Sequence, residues 1–281
     1  MGITHHPFVY QVGPLEVGGF GIAMLMGFVI GQITSQRELA RRGHDPTPMG
    51  DLVIAAVIGG LLGAKLYYAI ATQDLSTVFS RAGFTYWGGL IGGILAVLLV
   101  IGIKRLSVAQ IADVSAPAIA AAYAVGRTGC WAVGDDYGLP WNSRFAVMFP
   151  EGAPPSTVQN LSQTFGISFP PGTDPSQVVA VHPTQLYHTG AAFTMFLILW
   201  LLRDHRHAQG WLFGVFCVLA GLERFLIEFV RAKDDRFLGD FTGAQMIAAL
   251  FMLVGVVIMV LRWNVTPRSP GIHAKPSRAA A

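Results

Sequence analysis

Seven apolar stretches alternate with short polar ones along the chain, at about residues 17–33, 52–71, 87–103, 111–125, 189–202, 211–230 and 244–261. Each is apolar around its whole circumference, without the polar stripe that faces water on a surface helix. Several fall short of the roughly 20 residues that cross a bilayer, so their ends are expected to extend. The fifth has room to begin as early as Gln185. Short or glycine-interrupted spans are also compatible with re-entrant segments. The pattern predicts an all-α integral membrane protein of about seven transmembrane helices. Residues 1–264 are expected to form a single polytopic domain, with one large outer-face loop at about 135–181. That loop is rich in Pro, Gly, Ser and Thr, and reads as a small cap over a site or a flexible lid. Residues 265–281 read as a disordered cytoplasmic tail. No internal repeat stands out.

Composition narrows this further. Only 12% of the 281 residues are charged, while 53% are apolar before its 33 glycines are counted. Soluble proteins carry about 25% charged residues. With a mean hydropathy of +0.52, a disordered chain, a coiled coil and a disulfide scaffold are excluded. The two cysteines, Cys130 and Cys217, are far apart and match no metal spacing, so neither a disulfide nor a metal site is expected. The net charge of +3 offers no basic face for nucleic acid.

The placement of the cations matters more than their sum. Arg37, Arg41 and Arg42 follow the first span, Lys104 and Arg105 the third, Arg203 and Arg206 the fifth, and Arg262, Arg268, Lys275 and Arg278 the last. The opposite loops hold Arg81, Arg144, Lys233 and Arg236. Eleven against four puts the N-terminus outside and the C-terminus in the cytoplasm. The first residues lack a positive segment, so no cleavable signal peptide is expected. His6 speaks against myristoylation at Gly2.

The remaining cations, Lys65, Arg127, Arg224 and Arg231, fall inside or at the ends of spans, along with Asp51, Asp113, Asp135, Asp136, Glu223 and Glu228. An ionised group at membrane depth costs on the order of 3 kcal/mol on insertion scales, so each needs a partner or a task. Arg224, Glu228 and Arg231 are spaced i, i+4, i+7, on one helix face. They form either a self-satisfied ladder or a glutamate that fixes one arginine while another offers its fork to a phosphate. The segment Gly126 to Gly138 leaves the fourth span on Arg127 and passes through glycines, with Asp135 and Asp136 between them. It is either a plain glycine-rich turn or a backbone that approaches a ligand closely.

His182-Pro183-Thr184-Gln185-Leu186-Tyr187-His188 opens the fifth span. It supplies cap and interface residues, or two histidines that titrate near neutral pH. Gly88-Gly89-Leu90-Ile91-Gly92-Gly93, after Tyr86 and Trp87, fits close helix packing and an interfacial aromatic belt. Lys65 either snorkels outward or adds a cation for a headgroup. Asp51 and Asp113 suit cytoplasmic helix starts. Cations gathered near the outer leaflet imply an anionic ligand, and a phospholipid headgroup is the abundant candidate.

These four segments, in this order, resemble the prolipoprotein diacylglyceryl transferase family from about Gly13 to Leu261. The most specific part is Gly126-Arg127 through Gly138, which is similar to that family's signature. The resemblance implies transfer of a diacylglyceryl group from phosphatidylglycerol to the lipobox cysteine of a prolipoprotein signal peptide, on the outer face of the bacterial inner membrane. Glycerol phosphate is released, and no cofactor or metal is involved. It implies that Arg127, Gly138, His182, Arg224, Glu228 and Arg231 keep the family's residues. Trp87 stands where the family usually has His, Cys130 where it has Asn, Asp135 where it has Glu, Phe20 where it has Tyr, and His188 where it has an acid. The half that grips lipid is therefore intact, and the half that handles protons is altered.

On this basis Arg127 and Arg224 are the expected phosphate clamp, assisted by Arg231 and oriented by Glu228. His182 is the first candidate base, with Asp135 and His188 behind it. Gly88, Gly89, Gln185, Tyr187, Gly138 and Lys65 are expected to contact substrate. A competing expectation is a non-catalytic or different-acceptor phospholipid-binding paralogue of the same fold. A transporter would need a polar path to both sides, whereas these charges cluster toward one. Cys130, beside Arg127, also invites a role as a transient nucleophile, against the plainer role of a small residue at a helix end.

Overall fold

A computed structural model describes residues 3–13, 15–79, 83–232, 236–238 and 241–264. Arg81, Lys233 and the tail expected over 265–281 lie outside the described residues. Among the described residues the chain forms eight α-helices and seven short strands. In order they are β1 (Ile3–Thr4), β2 (Val9–Val12), β3 (Leu15–Gly18), α1 (Gly19–Arg41), α2 (Thr47–Thr72), α3 (Tyr86–Ile103) and α4 (Val108–Val133). There follow β4 (Val147–Met148), α5 (Val158–Phe165), β5 (Ala180–Val181), α6 (Thr184–Leu202), α7 (Trp211–Glu228), β6 (Arg236–Leu238), β7 (Phe241–Thr242) and α8 (Gly243–Leu261).

Seven of the helices coincide with the seven apolar stretches, and the protein is an all-α multi-pass membrane protein. Six of them, α1, α2, α3, α4, α6 and α8, are long and apolar enough to cross a membrane. The exception is α7, whose 18 residues include Glu223, Arg224 and Glu228. Two boundaries differ from the sequence expectation in ways that matter. The fourth stretch continues as helix to Val133, so Arg127 and Cys130 lie on α4 and not on a glycine-rich turn. The sixth ends at Glu228, so Arg231 lies beyond α7 and does not share a helical face with Arg224 and Glu228. Apolarity alone marks neither end, because Gly126, Gly129 and the residues after Glu228 read the same in helix or loop.

The described residues divide into two compact units, one built from residues up to Gly31 and from Ala116 onward, the other from Gln32 to Ser115. In the second unit, α2 and α3 pack through glycines. A side chain at Gly63 would collide with the Gly88 carbonyl, and one at Gly92 with the Gly59 carbonyl. This is the close backbone approach that small residues allow in membranes. Leu39, Met49, Leu52, Ile101, Ile111 and Val114 form this unit's buried core. Asp51 pairs with Lys104 at 2.7 Å, and Glu38 takes both Arg41 and Arg42. Lys65 Nζ lies 4.3 Å from the centre of the Phe84 ring.

In the first unit, Ala116, Ala120 and Ala124 of α4 present a small-residue face to a core made with Ala192, Met195 and Leu199 of α6 and Leu212, Val215, Phe216 and Cys217 of α7. A capping box starts α8, with Thr242 and Gln245 bonding each other's backbone N–H. The loop at 135–181 is ordered. Its strands join β1 in a sheet of order β1-β4-β5, and Tyr137, Val147, Phe149, Leu161 and Val181 form its own buried core. Thr157 caps α5 by accepting from Asn160 N at 3.3 Å. Both cysteines are free thiols.

Candidate functional site

In the first unit, the C-terminal ends of α4 and α7 and the N-terminal turn of α6 bring most of the polar residues together. Gly138 is the point where their connecting segments meet. Its N–H donates to the His182 carbonyl at 2.8 Å, the Leu139 N–H to the Val230 carbonyl at 2.9 Å, and the His182 N–H to the Leu139 carbonyl at 3.0 Å. A side chain at Gly138 would meet Val230 O, His182 Cβ and Thr184 Cγ2, so only glycine fits. The signature glycine is thus a packing requirement that fixes His182 on one side and Arg231 on the other.

Arg127 projects from the last turns of α4. Its Nε donates to the Tyr123 hydroxyl at 3.1 Å, and its Nη1 meets Asp136 Oδ2 at 2.6 Å. Arg231 Nη2 bonds the other oxygen of Asp136. Arg224 on α7 pairs with Glu228 at 2.8 Å, and Arg231 Nη1 lies 3.5 Å from the same Glu228 oxygen. The Thr242 hydroxyl donates to the other oxygen of Glu228 at 3.3 Å. Nη1 of Arg224 is buried and has no hydrogen-bond partner among the described residues.

Asp136 was not among the site residues expected from sequence, which named its neighbour Asp135. Burial works against a charge at Asp136, but Arg231 and Arg127 outweigh it and hold the carboxyl at about 2. Burial pushes Asp135 above the usual carboxylate range, and neighbouring Asp136 adds to the rise, while a hydrogen bond from Cys130 and the arginines oppose it. Asp135 Oδ1 is buried without a hydrogen-bond partner among the described residues. The turn holding both acids is tied to α6. The Thr184 hydroxyl donates to the Asp136 carbonyl, and Gln185 Nε2 donates to the Asp135 carbonyl at 2.5 Å. Gln185 is fully buried, so here it holds backbone.

The histidines occupy different settings. His182 stacks on Trp141 with ring centres 4.3 Å apart, and its Nδ1 lies 3.2 Å from the Tyr187 hydroxyl. Partial burial lowers its pKa below the ordinary histidine value. His188 is fully buried against Glu223, with the Tyr123 hydroxyl 3.1 Å from its Nδ1. Tyr123 and Glu223 therefore join Arg127 to His188, a link the sequence reading missed. The excess of buried arginines over assigned acids was the signal available for Asp136 and Glu223. Cys130 Sγ lies 3.6 Å from Arg127 Nη1.

Lys65, Gly88 and Gly89 belong to the second unit. There Gly88 packs against Gly63 and Tyr67, which supports the packing role. Phe20, in the first unit, lies against Gly129 of α4. Trp87 is exposed on α3.

Fold and site together define a multi-pass helical membrane protein with its ionisable chemistry gathered where helix ends meet. A model of the prolipoprotein diacylglyceryl transferase family matches residues 7–261, and the chain belongs to that family. It is 25% identical over 261 residues to the phosphatidylglycerol–prolipoprotein diacylglyceryl transferase of Clostridium tetani, covering 90% of this chain and 96% of that one. It is similar to the enzyme of the same name from Geobacter sulfurreducens, at 29% over 270 residues with 91% and 94% covered. Its likeness to that of Pseudoalteromonas translucida is 28% over 263 residues, 89% of each chain.

Proposed function

We propose that this protein transfers a diacylglyceryl group from phosphatidylglycerol to the lipobox cysteine of a prolipoprotein signal peptide, at the outer face of the bacterial inner membrane. Family membership supports this, and one observation carries it to the site. Three arginines from α4, α7 and the segment after α7 surround Asp136 and Glu228, and among the described residues a buried guanidinium nitrogen of Arg224 is left unpaired. A non-catalytic lipid binder is not favoured, since each relative described above is named a transferase.

The acceptor sulfur attacks C3 of the diacylglyceryl moiety. The C3–O bond breaks, its electron pair leaves on the phosphate oxygen, and glycerol phosphate departs with one more negative charge than the phosphate carried in the lipid. Cations fixed beside that oxygen stabilise the transition state more than the bound lipid. Arg224 and Arg127 serve there, with Glu228 aligning Arg224. A free thiol has a pKa near 8.5, so its proton needs a base. His182 fits, because its lowered pKa keeps it neutral at pH 7 and donating Nδ1–H to the Tyr187 oxygen leaves Nε2 free to accept. Asp135, with its raised pKa, is the second candidate.

The test incubates purified protein with phosphatidylglycerol and a lipobox peptide, and looks by mass spectrometry for a diacylglyceryl-modified cysteine. Arg127→Ala and Arg224→Ala should each lower the rate by roughly 10²–10³-fold while still folding, the usual size for loss of a donor to a developing anion. Full activity in both would overturn the clamp.

A further inference from the structure

The three arginines are not equivalent. Arg127 and Arg231 each spend a guanidinium nitrogen on Asp136, one on each carboxylate oxygen. Among the described residues Arg224 pairs with Glu228 alone, and its Nη1 has no partner. Asp136 is also held in a costly backbone conformation, with φ +57°, where a residue with a side chain is uncommon and Asp or Asn is tolerated best. Thr184 and Gln185, both fully buried, fasten that turn through the carbonyls of Asp136 and Asp135. Strain kept in place by buried contacts on either side is the mark of a geometry under functional constraint. The carboxylate it aims bridges two arginines from different chain segments, as a phosphate would.

We propose that Asp136 is a positioning residue, an internal anion that holds Arg127 and Arg231 in fixed places, with Arg127 set beside the leaving oxygen, and leaves Arg224 as the guanidinium open to the headgroup phosphate. This rests on the transferase reading. Without Asp136, Arg127 and Arg231 would swing onto the bound phosphate. The lipid would bind more tightly, but the cations would no longer be set for the leaving oxygen. Uniformly tighter ground-state binding does not lower the barrier, whereas misplacement by about 1 Å costs on the order of a hundredfold.

The experiment compares Asp136→Asn, which keeps shape and tolerance of the turn, with Asp136→Gly, which keeps the backbone freely. Steady-state transfer is measured with phosphatidylglycerol and a lipobox peptide, and active molecules are counted by folded fraction. In both variants kcat should fall about a hundredfold while KM for phosphatidylglycerol falls as well. Unchanged kcat, a raised KM, or a loss that vanishes once folded fraction is corrected would overturn the proposal. If the unsubstituted protein transfers nothing, the transferase reading fails, and a second measurement still decides the role of Asp136. The melting temperature is followed as short-chain phosphatidylglycerol is added. Greater stabilisation of Asp136→Asn than of the unsubstituted protein supports an internal anion, and equal or smaller stabilisation overturns it.

Discussion

At the residue scale, two of the positions where the sequence reading expected a departure from the family find local partners. His188 Nδ1 contacts Glu223 in the core. Cys130 hydrogen-bonds Asp135 and touches Arg127, which is enough to explain a small polar side chain at a helix end. Cys130→Ser should therefore keep turnover within a few-fold of the unsubstituted rate, whereas loss of all transfer would make the thiol a nucleophile. The proposed base has a definite pH signature. A histidine whose folded pKa lies below its unfolded value of 6.5 stays neutral further into acid. The acid limb of the transfer rate should then fall below pH 6.5, and the stability that neutral His182 preserves should decline as pH drops through that value. His182→Gln should abolish the limb along with most of the rate, and an acid limb that persists in that variant would move the role to Asp135. Asp136 has the same sign at lower pH, since its folded pKa is also depressed. Its contribution is full above the ordinary carboxylate value of 3.8 and is lost as pH falls toward about 2. Melting curves across that window should be flatter in Asp136→Asn.

At the element scale, the helices were legible because an apolar run long enough for a bilayer has few alternatives. Their ends were not. Gly126 to Val133 mixes glycine and polar residues with apolar ones yet continues α4, and the turn after it gives Arg127 a partner in Asp136 and is itself tied to α6 by Gln185. The Arg224–Glu228–Arg231 spacing reads as one helical face, yet α7 stops at Glu228 and the chain turns so that Arg231 bridges to Gly138. Both errors come from tertiary contacts that a periodicity cannot contain. Asp135 was named because the resemblance sets it where the family has Glu, and no periodicity shows that its neighbour Asp136 meets Arg127 and Arg231. The glycines of α3 were legible as packing, while their partners on α2 were not. Gly63→Val should cost about 1–3 kcal/mol, the usual scale of overpacking, because the new side chain would strike the Gly88 carbonyl. Thermal melting in detergent checks this, and an unchanged midpoint would mean the two helices separate freely.

At the scale of the whole molecule, the charge distribution makes a prediction that the helix positions sharpen. The α1–α2 connection carries Arg41 and Arg42 on Glu38, and Lys104 after α3 pairs with Asp51 early in α2, so within the second unit these cations share one end of the helices. In the first unit, Arg127, Asp136, Glu228 and Arg231 meet where α4 and α7 end and α6 begins. On the sequence expectation of one crossing per apolar stretch, the α1–α2, α3–α4 and α6–α7 links fall on one side and the 135–181 loop on the other. We propose that the first side, with its cation excess, is cytoplasmic, which would set the arginine cluster at the outer leaflet, where a headgroup would meet it. Single cysteines introduced at Arg37, Arg203 and Glu151 into a Cys130→Ser, Cys217→Ala background test this with a membrane-impermeant thiol reagent on intact cells from which any outer membrane has been removed. Glu151→Cys should label, while the other two should label only after the membrane is opened. Labelling of the Arg203 position on intact cells would reverse the topology, and would put the site on the wrong face for an acceptor that arrives by export.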